Sequence, residues 1–120
     1  MTTFGKYHSR RVRLDGLDFD SQAEADRWAE LRLLERAGEI ESLCAHPRWT
    51  LQPAFTRPDG RRERAITYEA DFSYVENGQL VVEDVKPTWE DRKDGAWRVF
   101  RLKAKMLLYI HGVDVQVVER

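Results

Sequence analysis

An Asn77-Gly78 pair stands between two runs of alternating apolar and polar residues, which is the strongest short-range signal for a two-residue type I′ hairpin. The turn fixes a register. With Glu76 opposite Gln79, counting back along Tyr68–Val75 and forward along Leu80–Lys86 sets Asp71 opposite Asp84 and Glu69 opposite Lys86. Period-two alternation puts all four on one face. Carboxylates with Cβ atoms about 4.5–5.5 Å apart repel by roughly 3 kcal/mol at an effective dielectric of about 20. A shared proton offsets that repulsion, and a divalent cation between the two groups does so at neutral pH, with Lys86 adding a further positive charge. The hairpin therefore predicts a metal site at Asp71 and Asp84.

At 120 residues the chain is expected to form one domain, 1–120, with a real core. It is 42% hydrophobic, with 4 Trp, 4 Tyr and 5 Phe, a composition that suits a packed globule. No apolar run approaches the ~20 residues of a membrane helix, and the first residues lack the apolar stretch of a secretory signal. A cytoplasmic protein is expected. Residues 1–9 read as a flexible arm. The single cysteine, Cys44, excludes an internal disulfide and reads as a small buried or strand-end thiol rather than a nucleophile.

The formal charge is −1, which argues against a nonspecific nucleic-acid glue, but it is unevenly spread. Lys6, Arg10, Arg11 and Arg13 form one basic segment, Arg57, Arg61, Arg62 and Arg64 a second, and Arg98, Arg101, Lys103 and Lys105 a third, whereas the stretch 15–41 carries most of the acid. Both a basic groove beside an acidic back and ordinary solvated charge fit this distribution.

The predicted order of elements is helix, three strands, helix, strand. A small hairpin over Arg11–Leu14 and Leu17–Phe19 turns at Asp15-Gly16. Ser21-Gln22-Ala23-Glu24 has capping-box spacing for a helix that runs through Leu34 and stops at Gly38. Pro47 and Pro53 confine a strand to about Arg48–Leu51, and Pro58-Asp59-Gly60 is a turn. The strand Arg64–Val75 sets Ile66, Tyr68, Ala70, Phe72 and Tyr74 on one face and Thr67, Glu69, Asp71 and Ser73 on the other. Its partner Gln79–Lys86 ends at Pro87. After the polar stretch Thr88–Ala96 come a helix over Trp97–Ile110, ended by Gly112, and a strand Val113–Val118, expected to lie parallel in the same sheet.

Asp71, the hairpin, and then Asp84-Val85-Lys86 read as D…(D/E)-x-K, and with Glu24 on a preceding helix the chain resembles the PD-(D/E)xK nuclease superfamily. More narrowly, it is similar to small phage and prophage proteins related to Holliday-junction resolvases and other phage endonucleases. The stretches that carry this likeness are Phe19–Ala25, Leu33–Ile40, Leu51–Phe55, Ile66–Phe72, Val82–Lys86 and Leu102–Lys105. The resemblance implies an α/β (α+β) restriction-endonuclease-like core with a mixed central sheet flanked by helices, an order the elements also suggest. Two departures stand out: Ala70 replaces the usual proline before the first aspartate, and the stretch Thr88–Ala96 is longer and more polar than the family pattern.

The implied reaction is metal-dependent hydrolysis of DNA phosphodiester bonds, with Mg²⁺ or Mn²⁺ and no organic cofactor. Asp71 and Asp84 would ligate the ion, and the resemblance adds the Val85 carbonyl. Lys86 would orient or deprotonate the attacking water and neutralise charge at the phosphate. The alternative for these three is a surface ion-pair ladder with Glu69. Glu24 has two readings: the reciprocal member of a capping box, or, from the resemblance, a ligand to the metal directly or through water. Lys103 lies within the apolar face of the second helix and either snorkels or contacts the scissile phosphate. Arg10, Arg11, Arg61, Arg62, Arg101 and Lys105 are the remaining expected DNA contacts.

Glu69 is read as a flank to Lys86, and Glu83 projects to an apolar strand face, where a strand edge or an ion pair would account for it. His8, His46 and His111 are too scattered for a histidine site, and Trp49, Trp89 and Trp97 read as core packing before base stacking. Branched or recombination-intermediate DNA in a bacterial host is the expected substrate. A homodimer is expected because two symmetric cuts need two sites. The rival is a noncatalytic nucleic-acid-binding or phage-assembly module that retains the fold.

Overall fold

The computed structural model describes residues 11–87 and 95–120; the expected arm 1–9, Arg10, His8, Trp89 and most of the stretch 88–96 lie outside the described residues. Asp15 and Gly16 (φ 55° and 77°) and Asn77 and Gly78 (φ 52° and 77°) take the paired left-handed conformation of type I′ turns. Each closes an antiparallel hairpin. The first joins β1 (Val12–Leu14) to β2 (Leu17–Phe19), and the second joins β8 (Phe72–Glu76) to β9 (Gln79–Lys86), with Glu76 opposite Gln79 as predicted.

Between the hairpins, α1 spans Gln22–Arg36. Ser21 caps it by accepting the Glu24 N–H at 3.2 Å. Its C-terminus closes as a Schellman motif, Gly38 N–H to the Glu35 carbonyl and Glu39 N–H to the Leu34 carbonyl, both 3.0 Å, with Gly38 at φ 80°. Then come β3 (Glu41–Ala45), β4 (Arg48–Gln52), β5 (Phe55–Thr56), β6 (Arg62–Glu63) and β7 (Ile66–Glu69). After the β8–β9 hairpin, α2 spans Gly95–His111 and β10 spans Val115–Glu119.

The main sheet has the order β10-β9-β8-β3, with β10 parallel to β9 and the other pairs antiparallel. Three two-stranded sheets accompany it, β1-β2, β4-β7 and β5-β6. Two cores result. Phe19, Ala25, Trp28 and Leu31 pack on Ile40, Phe72, Tyr74 and Val85 beneath α1, and Leu51, Tyr68, Ala70 and Val82 pack with Leu107 of α2. Fully buried Phe19, Phe72, Leu31 and Leu107 each contribute about 1.5–3 kcal/mol. No helix among the described residues is long and apolar enough to cross a membrane.

The structure corrects the single strand expected over 64–75. It breaks at Ala70 and Asp71, so that β7 pairs with β4 while β8 pairs with β9 and β3. The connection between β3 and β4 braces the break: the Ala70 N–H donates to the Pro47 carbonyl at 3.0 Å and the His46 N–H to the Asp71 carbonyl at 2.9 Å. As a result Tyr68 and Ala70 enter one core and Phe72 and Tyr74 the other. Glu69 therefore lies opposite Arg48, with an ion pair at 2.8 Å, instead of opposite Lys86.

A second correction concerns the strand after α1. The main-sheet strand is β3, whose register shifts between Glu41 and Cys44 and whose Ser42 sits at φ 58°, so no clean alternation marks it in the sequence. The predicted strand at Arg48–Leu51 exists as β4 but pairs outside the main sheet.

Candidate functional site

Asp71 lies one residue beyond the last paired position of β8, and side chains take over where the ladder stops. Its N–H reaches both the Glu83 carbonyl, at 3.2 Å, and Asp84 Oδ1, at 2.9 Å. In return Asp71 Oδ2 accepts the Val85 N–H at 2.7 Å. The two aspartates thus cross-link adjoining strands, on the shared side of the sheet that the hairpin register requires. The second oxygen of Asp84 accepts the Tyr68 hydroxyl. Tyr68 packs near two further rings, Trp49 at 6.3 Å and Phe100 at 6.3 Å between centroids.

The pair opens onto a cavity of about 490 Å³ that Glu24, Tyr68, Lys86 and Lys103 also line. Glu24 reaches it from the first turn of α1. Its backbone N–H serves the cap, and its carboxylate takes a long contact, 3.4 Å, from the Ser21 hydroxyl and a backbone hydrogen bond at Asp20. Lys86 follows Asp84 by two residues, hence on the same face, and its Nζ stands 4.2 Å from the centroid of Phe100, a cation–π contact. Lys103 is one helical turn before the buried Leu107, so it shares that face of α2, and its Nζ donates to the Thr67 carbonyl at 3.0 Å.

Three carboxyls here are drawn toward the protonated state. Burial, then the charges of Asp84 and Glu24, push Asp71 up to about 8. Burial raises Asp84 as well, although the Tyr68 hydrogen bond and the Lys86 charge oppose it. Burial and Asp20 raise Glu24. Burial and Asp84 push the Tyr68 phenol far upward, which keeps it a neutral donor. Such a cavity has a surplus of acid that a proton or a cation relieves.

Among the described residues, no three His, Cys, Asp or Glu side chains close into a ready-made ligand cluster. The fold brings together a smaller set of hard oxygens, Asp71 and Asp84. The Val85 carbonyl joins them by strand geometry. The Glu83 carbonyl and the Val85 N–H are bonded on the Asp71 side, while the Lys86 carbonyl accepts the Arg120 N–H on the β10 side, so the Val85 carbonyl faces Asp71. Two carboxylates and a carbonyl suit Mg²⁺ or Mn²⁺, which retain several waters, and do not suit metals that prefer thiolate or imidazole.

The other expected residues are dispersed. Arg61 and Arg62 are exposed at the β5-β6 hairpin, where Arg61 lies 3.6 Å from Asp59 and Arg62 bonds Thr56 Oγ1 at 3.1 Å. Arg11 is exposed and lies 3.7 Å from Asp20. Arg101 and Lys105 line a separate groove between α2 and β10. Glu83 is an ion-pair residue, 2% exposed and gripped by Arg27. His46 packs 5.7 Å from Phe19, and His111 Nε2 meets the Thr50 carbonyl at 2.7 Å. Trp97 packs against Phe100 in a tilted pair, 5.2 Å between centroids, and Cys44 is exposed on β3.

Tyr68, Phe100 and the Thr67 carbonyl join the site beyond the residues expected from the sequence. For Tyr68 the one available signal is that a tyrosine within an apolar strand face needs a partner for its hydroxyl. No curated protein and no solved structure matches the chain. A family model described as a protein of unknown function (DUF1064) matches residues 4–116, and the chain belongs to that family.

Proposed function

We propose that the chain is a Mg²⁺- or Mn²⁺-dependent endodeoxyribonuclease of the PD-(D/E)xK type, acting on branched or recombination-intermediate DNA. The observation that carries this is the cross-linked pair Asp71 and Asp84 in a cavity shared with Glu24, Lys86 and Lys103. The order α1, β3, β8, β9, α2, β10, with its four strands forming one mixed sheet, supports a restriction-endonuclease-like core.

Bound Mg²⁺ would supply an acidified water and a counter-charge for the phosphate. Asp71, Asp84 and the Val85 carbonyl would hold it, with Glu24 as a further ligand directly or through water. Lys86, stationed over Phe100, orients the attacking water and neutralises charge at the phosphate. Lys103 spends one donor on Thr67 and has others for a phosphate oxygen. Arg61, Arg62 and Arg11 contact DNA backbone further out. One site per chain and two cuts per junction argue for a homodimer, working in the cytoplasm of a bacterial host.

One observation favours a noncatalytic nucleic-acid-binding module instead: both oxygens of Asp84 already have protein donors, so the pair is satisfied without a metal. Cleavage of labelled junction, flap and linear duplex with Mg²⁺ or Mn²⁺ decides between them. The nuclease reading expects cutting by the wild type and none by Asp84→Asn or Lys86→Ala. Equal DNA binding by all three with no cutting by any would leave the module.

A further inference from the structure

Strand β10 ends the main sheet, paired with β9 on one side and, among the described residues, with no strand on the other. The Arg120 N–H bonds the Lys86 carbonyl at 3.0 Å, which fixes the direction of its neighbours. Gln116 and Val118 turn their backbone groups toward β9, and Val115 and Val117 turn theirs outward. Edge strands that remain unpaired are protected by lysine, proline or a bulge. The β10 sequence, Val-Gln-Val-Val-Glu, has neither lysine nor proline, and its register with β9 is unbroken.

Beside this edge, α2 and β10 wall a groove of about 630 Å³. Leu102, Leu108 and Val117 in its lining are 59%, 47% and 37% exposed. Arg98, Arg101 and Lys105 stand along it against one carboxylate, Asp114. None of the three cations has an ion-pair partner among the described residues.

An outward row of N–H and C=O groups complements an extended polypeptide and has no counterpart in a nucleic acid. The three cations select acidic side chains. They also disfavour a second copy, which would set them against their own images. We propose that the β10 edge and the α2 groove dock an extended segment of a partner protein, added to the sheet as a strand, whose groove-facing side chains are a mixture of aliphatic and acidic. The surface stands independently of the nuclease chemistry.

The test uses the full chain and a fluorescein-labelled nine-residue peptide with aspartate and leucine alternating at odd positions and threonine at even ones. A second peptide carries lysine in place of aspartate. By anisotropy, the acidic peptide should bind saturably and about tenfold or more tighter than the lysine peptide, and Arg101→Glu with Lys105→Glu should invert that preference. Val117→Pro removes an outward donor and spares the β9 ladder, so it should weaken binding about tenfold at an unchanged melting temperature. If that variant unfolds, inversion by the charge-reversed pair decides the matter. The proposal is overturned if the acidic peptide fails to saturate, if folded Val117→Pro binds it normally, or if charge reversal abolishes duplex DNA binding while no peptide binds.

Discussion

Arg27 grips Glu83 through both carboxylate oxygens, Nε to Oε1 at 2.8 Å and Nη2 to Oε2 at 2.6 Å. Glu83 is 2% exposed and also accepts the Tyr74 hydroxyl at 2.5 Å. Glu83 and Asp84 are adjacent on β9 and face opposite ways, so this clamp fixes α1, and Glu24 with it, to the strand that carries Asp84. Glu30, one turn along from Arg27, extends the network to Arg120. Arg27→Met leaves a buried carboxylate without its counter-charge and should cost about 3–5 kcal/mol in urea unfolding. Adding Glu83→Leu should recover most of that loss, and failure to recover would show that the arginine acts through packing.

The acidic cavity makes stability depend on pH in an unusual direction. Asp71 has an ordinary value of 3.8 and is raised to about 8 in the folded protein, so the native state binds more protons than the unfolded state between those limits. Stability should therefore fall as pH rises from about 4 to about 8. Asp71→Asn with Asp84→Asn should flatten the profile. On the proposed metal role, Mg²⁺ should restore the wild-type melting temperature near pH 8. A wild-type melting temperature that rises across this window would refute the burial of acid described here.

Tyr68→Phe keeps the ring contacts with Trp49 and Phe100 and removes the donor to Asp84. The loss should be about 1–3 kcal/mol at neutral pH, the cost of leaving a buried acceptor short of a partner. It should shrink toward low pH, where Asp84 is protonated. Equal losses at pH 4 and pH 8 would mean that the hydroxyl does not serve the carboxylate.

Arg61→Ala with Arg62→Ala removes two exposed charges from the β5-β6 hairpin. DNA binding should weaken, and the slope of log affinity against log salt should flatten by about 2. An unchanged slope would take the hairpin off the DNA surface.

Local chemistry made much of this legible in sequence. Asn77-Gly78 set the β8–β9 register, Ser21 and Gly38 bounded α1, and the valine run after Gly112 gave the parallel β10. Glu83 on an apolar face read as a strand edge or an ion pair, and the structure makes it an ion pair whose partner lies 56 residues away. Distant contacts stayed hidden. The break at Ala70 and Asp71 is held by the His46-Pro47 connection, and unbroken alternation across it assigned Tyr68 to the wrong face and Glu69 to the wrong partner. β3 has no clear mark in the sequence because its register shift erases the period of two.

Where β8 and β9 stop exchanging main-chain hydrogen bonds, Asp71 and Asp84 continue the seam with their own oxygens. The proposed chemistry and the architecture consequently draw on the same atoms. Alanine at either position would fray the end of the hairpin as well as strip the cavity of charge, and a dead variant of that kind would say little about mechanism. Asparagine, which keeps an acceptor in the seam, is the substitution that separates the two roles.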